Sequence, residues 1–239
     1  MIRSVFLSLF LVFSLNIVFA QSLFSGSFFM SFIAADGSDK AYPLFWQIQS
    51  GSDGGRMMLE IQDEMKKKGV SKRVLFNSSD STWTMLMEYV NSKIGTRIHA
   101  AAMYRDSARQ QKIFVKKSGS RRVIEGYRCK KIILESAEYI AEAWTTDQLH
   151  FDLCYIYQLL THCGLMNEYV RSGDWFNWKD SKGMILEVTS TKKSTEQSYT
   201  MRLSKLSPGD FNPLYFNTNG FILSEIPEGQ NCGIPVEAK

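Results

Sequence analysis

Histidine and proline are scarce in this chain, at 3 and 5 of 239 residues. His99, His150 and His162 sit in no nucleophile elbow, no zinc-protease pattern and no recognisable triad, so the usual forms of hydrolytic catalysis have little to stand on. His150 and Cys154 stand four apart, as two metal ligands on one helix face would, but no third donor is spaced near them. Neither a metal nor a cofactor is therefore expected. Solenoid repeats and low-complexity tracts are absent. Charge of neither sign dominates: a formal net charge of +4 is too mild to steer a polyanion, and nucleic acid is not expected as a partner. After residue 20 there is no second apolar run of membrane-spanning length, so no transmembrane span is expected in the mature chain.

What is present begins at the first residues. Arg3 supplies a positive start, Ser4 to Phe19 form an almost unbroken apolar run, and Val18-Phe19-Ala20 ends it with small residues at −3 and −1. This is the form of a cleavable secretory signal over residues 1–20. It predicts a protein exported to the periplasm or outside the cell, with a mature start at Gln21. No cysteine sits at the junction to carry a lipid. Residues 21–239 then read as a single β-rich domain, with 44% hydrophobic residues to build its core.

Alternation dominates that domain. Phe28, Met30 and Phe32 fall on one face of a strand, as do Leu44, Trp46 and Ile48, and then Met57, Leu59 and Ile61. Val74 and Phe76 follow, then Trp83, Met85, Met87 and Tyr89, with Ile113 and Val115, Met184, Leu186 and Val188, and Tyr199, Met201 and Leu203 further on. A period of two with one apolar face predicts strands that set one wall on a core or cavity and the other in solvent. Asp36-Gly37-Ser38, Asp53-Gly54-Gly55, Asn77 to Asp80, Ser118-Gly119-Ser120, Ser181-Lys182-Gly183 and Ser207 to Asp210 supply turn chemistry between them. The expected fold is mainly β, one large, curved antiparallel sheet of about ten strands.

One segment departs from this pattern. Thr145-Thr146-Asp147-Gln148 has the form of a capping box, and Leu153, Ile156, Tyr157 and Leu160 recur at helical spacing until Gly164. The predicted helix is apolar around most of its circumference, which places it against the concave face of the sheet. A shorter helical turn is expected within Gln62 to Lys68.

Methionines on the apolar faces, among Trp and Phe, make an adaptable lining of the kind that suits a lipid or acyl chain. The candidate ligand-binding residues are accordingly Trp46, Trp83, Met85 and Met87 on the sheet, with Leu153, Ile156, Tyr157 and Leu160 on the helix. The same pattern also describes an ordinary filled core. Basic runs such as Lys66-Lys67-Lys68 and Lys116-Lys117 read as solvated hairpin ends that protect sheet edges.

Four cysteines, Cys129, Cys154, Cys163 and Cys232, follow the signal, where export permits disulfides. Cys154 and Cys163 on one helix would lie about 13 Å apart and cannot join each other. One or two bridges involving Cys129 or Cys232 are expected.

Residues 123–147 carry a family resemblance. Val123-Ile-Glu-Gly-Tyr-Arg-Cys-Lys-Lys-Ile-Ile-Leu134, followed by Tyr139-Ile-Ala-Glu-Ala-Trp-Thr-Thr-Asp147, resembles the core of domain-of-unknown-function family 4412, whose members are exported by Gram-negative bacteria. Ser181 to Val188 and Phe221 to Gly229 are similar to its returning strand and its ending. That family is distantly similar to the LolA-type lipoprotein carriers, and the resemblance implies a half-open barrel with helices at its mouth. The acyl-binding residues of those carriers have no identifiable counterparts here.

The sequence therefore points to a non-enzymatic periplasmic binding or carrier-like protein for an apolar small molecule or lipid. The alternative is a structural protein of the cell envelope with a filled core and a protein partner. An enzyme would need a polar cleft joining His150 or His162 to Asp147, Asp152 or Glu168.

Overall fold

The computed structural model describes residues 24–34, 44–49, 55–62, 64–77, 79–80, 82–99, 113–151 and 183–226. Twelve strands in these segments join one open, curved sheet: β1 (Gly26–Ala34), β2 (Leu44–Gln49), β3 (Arg56–Ile61), β4 (Ser71–Asn77), β5 (Thr82–Tyr89), β6 (Ser92–His99), β7 (Phe114–Ile124), β8 (Tyr127–Glu135), β9 (Tyr139–Thr146), β10 (Met184–Lys192), β11 (Ser198–Pro208) and β12 (Ile222–Ile226). The order across the sheet is β12-β6-β5-β4-β3-β2-β1-β11-β10-β9-β8-β7. Two sequential antiparallel meanders, β1 to β6 and β7 to β11, are thus sewn together where β1 pairs β11.

The alternating positions explain how this sheet is built. Phe28, Trp46, Leu59, Val74 and Met85 oppose one another in turn across β1 to β5. Ile48, Met57, Phe76, Trp83 and Ile98 form the adjacent row from β2 to β6. On the other side of β1, Phe32, Met201, Val188, Ala143 and Ile132 continue the wall across β11, β10, β9 and β8. Directly opposed apolar pairs are the unit of sheet stabilisation, and here they repeat across ten strands without a break in face. A one-residue slip of any strand would turn its entire apolar set to the other side, so the pattern also enforces the register.

β12 breaks the meander. The chain leaves β11 in mid-sheet, and β12 emerges at the far edge, parallel to β6, with Ile222 opposite Ile94 and Ile226 opposite Ile98. The connecting residues between β11 and β12 lie against the outer face. A 3-10 turn (Pro213–Phe216) forms there, its first φ fixed by Pro213, which has no N–H to leave unpaired, and its start capped by the Asn212 side chain, which accepts from the Leu214 N–H at 3.0 Å. Arg73 donates to the Tyr215 carbonyl at 3.0 Å and holds this turn to β4.

Several expectations need correction. The capping box is not a helix start. Thr145 and Thr146 end β9, and the Thr146 hydroxyl accepts from the Gln148 N–H at 3.3 Å in a local turn. The chain bends over Asp147 to Leu149 and returns to the sheet at His150, whose carbonyl accepts from the Phe24 N–H at 2.7 Å. The expected helix over Leu153 to Leu160 lies outside the described residues, and among the described residues no helix packs on the concave face. A single turn of helix, α1 (Glu64–Lys67), falls where a short one was expected.

Ser118-Gly119-Ser120 does not turn the chain either. It is a bulge inside β7, seen as a register shift between Lys117 and Arg121. The hairpin turn comes later, at Glu125-Gly126, where both residues have positive φ (51° and 83°), the geometry that a two-residue hairpin demands. The Glu125 side chain accepts from the Lys205 N–H at 2.8 Å, so this hairpin tip is tied to β11, three strands away.

The expected disulfides receive no support. Cys129 is a free thiol, buried and donating to the Tyr127 carbonyl at 3.5 Å. Cys154, Cys163 and Cys232 lie outside the described residues.

Candidate functional site

The inner face is the candidate site, and its chemistry follows from the rows just described. Phe24, Phe28, Met30, Trp46, Ile48, Met57, Leu59, Val74, Phe76 and Trp83 are all buried in one cluster that continues to Leu134, Leu186 and Leu203. The aromatic members touch: Phe28 lies stacked 6.4 Å from Trp46, and Phe76 tilts 4.1 Å from Trp83. Such ring pairs add about 0.5–1.5 kcal/mol beyond their buried area. Trp46 is 0% and Trp83 3% exposed.

The predicted ligand residues therefore divide into three groups. Trp46 and Trp83 belong to the wall itself. Met85 is partly buried and packs against it, whereas Met87, one row nearer the end of β5, is half-buried and lies outside the cluster. Leu153, Ile156, Tyr157 and Leu160 fall outside the described residues.

Among these apolar groups stand polar atoms with nothing to bond. The indole Nε1 atoms of Trp46 and Trp83 and the hydroxyl of Ser190 are buried without a partner among the described residues, as is His150 Nε2. Both indoles and Ser190 lie on the inner face, since Ser190 follows Val188 in alternation and opposes the buried Ala141. A buried donor left unpaired costs about 1–3 kcal/mol. Indole is a donor only, so what it lacks is an acceptor.

Sequence reasoning missed a second apolar surface. Met58, Leu75 and Leu86 are buried on the outer face, under Phe45, Tyr215, Phe216, Phe221 and Leu223. The signal was present: Met57-Met58-Leu59, Val74-Leu75-Phe76 and Met85-Leu86-Met87 are apolar triplets, and an unbroken triplet marks a strand covered on both sides. Arg73 and Lys93 hold cations 5.7 Å over the Phe221 ring, which fastens the covering segment.

The polar groups of the outer face are already satisfied by one another. A cavity of about 280 Å³ opens there between Glu60, Ser71, Arg73, Glu88 and Tyr215. Glu60 accepts from Gln62, Lys66 and Ser71, and Glu88 pairs with Arg73 and Lys93, so its charges are matched inside the protein. Farther along, Glu187 on β10 takes Arg122 and Arg202 on its two oxygens. Burial pushes the Glu187 carboxyl up, but the two guanidinium hydrogen bonds outweigh it and hold it below the ordinary value. Burial also raises the Cys129 thiol and the Tyr127 phenol.

An open, curved antiparallel sheet with one continuous apolar wall defines the class of protein. The chain belongs to the family described as domain of unknown function DUF4412, whose model matches residues 24–158. A search of curated proteins returns no relative. Among solved structures, the chain is similar to PNGF-II, at 10% identity and a TM-score of 0.41 over 85% of this chain and 32% of that one. It thus spans about a third of the length of PNGF-II. A domain assigned to outer membrane lipoprotein sorting, from Vibrio parahaemolyticus, matches at 9% identity and a TM-score of 0.21, covering 83% of this chain and 92% of that one. A DUF1329 family protein from Desulfovibrio piger matches at 9% identity and a TM-score of 0.21, over 82% and 90% of the two chains. Likenesses of this size assign neither ligand nor activity. Among the described residues no helix is long and apolar enough to cross a membrane.

Proposed function

We propose that this protein is a non-enzymatic binding or carrier-like module for an apolar ligand, a lipid or acyl chain, exported by a signal cleaved after Ala20. The observation that carries the reading is the inner wall: opposed apolar residues run unbroken across ten strands, with Trp46, Trp83 and Met85 among them. Moving an acyl chain from water onto such a wall yields about 0.8 kcal/mol per buried CH₂. Thioether and aromatic side chains accept chains of varied shape because they adapt without polar cost. The near-complete burial of both indoles means that uptake requires the wall to open.

That same burial favours the second reading, an envelope protein whose wall is a filled core. One experiment separates the two. Protein purified from an exporting host is extracted with organic solvent, and the extract is weighed against protein by mass spectrometry. In parallel, the protein is titrated with a fluorescent fatty acid. Near-stoichiometric lipid, or saturable probe binding, is the expected result. Lipid-free protein that also ignores the probe leaves the filled-core reading standing alone. N-terminal sequencing of the same sample is expected to begin at Gln21.

A further inference from the structure

Four buried polar atoms among the described residues have no hydrogen-bond partner, and three of them share the inner face. They are Trp46 Nε1 on β2, Trp83 Nε1 on β5 and Ser190 Oγ on β10. No unpartnered buried polar side-chain atom occurs among the described residues of the outer sheet face, although that face also buries apolar side chains and carries many more charges. Buried polar groups in folded proteins are paired as a rule, so a set of exceptions gathered on one wall asks for what completes it.

The chemistry of the missing partner is constrained. Two of the three atoms are indole N–H groups, which can donate and cannot accept, and the residues that oppose them in the sheet, Phe28 and Leu59 for Trp46 and Phe76 and Ile98 for Trp83, are all apolar. Their complement is an uncharged acceptor carried deep in an apolar molecule, and a carbonyl oxygen is the strongest acceptor of that kind. A bare hydrocarbon chain supplies none. Trp46 and Trp83 stand three strand spacings apart, about 14 Å of sheet, so each serves its own acceptor.

Building on the apolar-ligand reading, we propose that Trp46 and Trp83 are the specificity-determining donors of the inner wall, and that they select acyl esters over hydrocarbon or ether chains of the same length. Apolar contact along the rows supplies affinity to any chain. The two N–H groups add discrimination, because a site built to hydrogen-bond a group penalises the analogue that lacks it. Phe28 stacked on Trp46 and Phe76 packed on Trp83 hold the indoles in place, so little ordering is left for the ligand to impose.

The test compares two probes on the unaltered protein: a long-chain α,ω-diester whose two carbonyl groups lie about 14 Å apart when extended, and the α,ω-diether of the same length. Displacement of a fluorescent fatty acid gives the affinity of each. The diester is expected to bind about tenfold more tightly than the diether, the yield of one to two net hydrogen bonds. Trp46→Phe and Trp83→Phe keep a ring in place while removing the donor. Each is expected to weaken the diester by about three- to tenfold and leave the diether unchanged, and the double variant to bind both alike. Equal affinity of wild-type protein for diester and diether overturns the assignment while leaving the apolar-ligand reading intact. Binding of neither probe, nor of the fatty acid, overturns both. Because the decisive comparison uses unaltered protein, it does not depend on how the variants fold.

Discussion

Arg122 on β7 lies over the Trp144 ring on β9, its guanidinium carbon 4.2 Å from the ring centroid, and from there reaches the Glu187 carboxylate on β10. One arginine on β7 thus reaches across β8 to both β9 and β10. Arg202 on β11 completes the set at 2.7 Å from the other Glu187 oxygen. The carboxylate is 9% exposed, while Arg122 and Arg202 are 38% and 52% exposed, so their attraction is partly screened.

Acid is expected to loosen this corner of the sheet. The Glu187 carboxyl is held below its ordinary value of 4.5 in the folded chain, so it binds a proton more readily once unfolded. Its contribution is therefore whole above that ordinary value and disappears as pH falls through the lowered folded one. Thermal melts from neutral pH downward should show stability falling through this window, and Glu187→Gln should flatten the curve there. At neutral pH the same substitution is expected to cost about 1–2 kcal/mol, after allowing for screening of the arginines. Asp147→Asn serves as the control: the Asp147 and Lys130 side chains are more than half exposed, and no measurable loss is expected.

Gly95 is where β12 is seated. A Cβ built there would lie 2.6 Å from Leu223 Cδ2 on β12 and 2.8 Å from Leu86 Cδ2 on β5, with the Met85 carbonyl at 3.0 Å. Gly95→Val should push β12 away and cost about 1–3 kcal/mol by overpacking. Adding Leu223→Ala to that variant should restore part of the loss. Coupling of at least about 0.5 kcal/mol in a double-mutant cycle, read by urea unfolding, is the expected outcome.

How much of this could be read from the residues alone depends on how local each signal was. Strands β1 to β5 and β10 to β11 declared themselves, because each exposes one face to an apolar neighbour, and alternation reports that directly. The inner wall, with Trp46 and Trp83 on it, followed. The Glu125-Gly126 turn is hard to read from residues alone, because Ser118-Gly119-Ser120 is the better turn by composition. Only pairing with β8 shows it to be a bulge. Thr145-Thr146-Asp147-Gln148 fits a capping box equally well as text, but the ladder to β8 and β10 outweighs a local cap, and the residues end a strand. The outer cluster of Met58, Leu75 and Leu86 is legible only as the apolar triplets of β3, β4 and β5, which do not say what covers them; the parallel docking of β12 and the Arg122–Glu187–Arg202 set depend on contacts between distant segments, which no periodicity encodes.

Cys129 offers a check on the burial of β8. Burial raises its thiol above the ordinary range, further from the thiolate that reacts, and its Sγ already donates to the Tyr127 carbonyl. Iodoacetamide at neutral pH should leave the Cys129 peptide unmodified in the native protein and label it fully in urea, as read by peptide mass spectrometry. Rapid native labelling would contradict the packing described for β8. Cys129→Ser should cost about 1–3 kcal/mol, because a hydroxyl is more expensive than a thiol to bury among apolar groups.

Gly183, at the entrance to β10, has no room for a side chain. A Cβ there would lie 1.9 Å from the Thr146 carbonyl oxygen and 2.7 Å from its carbon, both backbone atoms that no rotamer change can move aside. The close approach is needed because Met184 must oppose Thr146 while its N–H donates to the Leu149 carbonyl at 3.0 Å. Gly183→Ala can be accommodated only by opening that end of the β9–β10 ladder, next to the bulge at Leu186 that sets the register of the strand. A loss of about 3 kcal/mol or more in urea unfolding is expected, at the upper end for a single added methyl group. Gly119→Ala, at a site where a Cβ meets nothing within 4 Å, is the matched control and should change stability by less than about 0.5 kcal/mol. If the two variants prove equally stable, the register of β10 against β9 is not the one described.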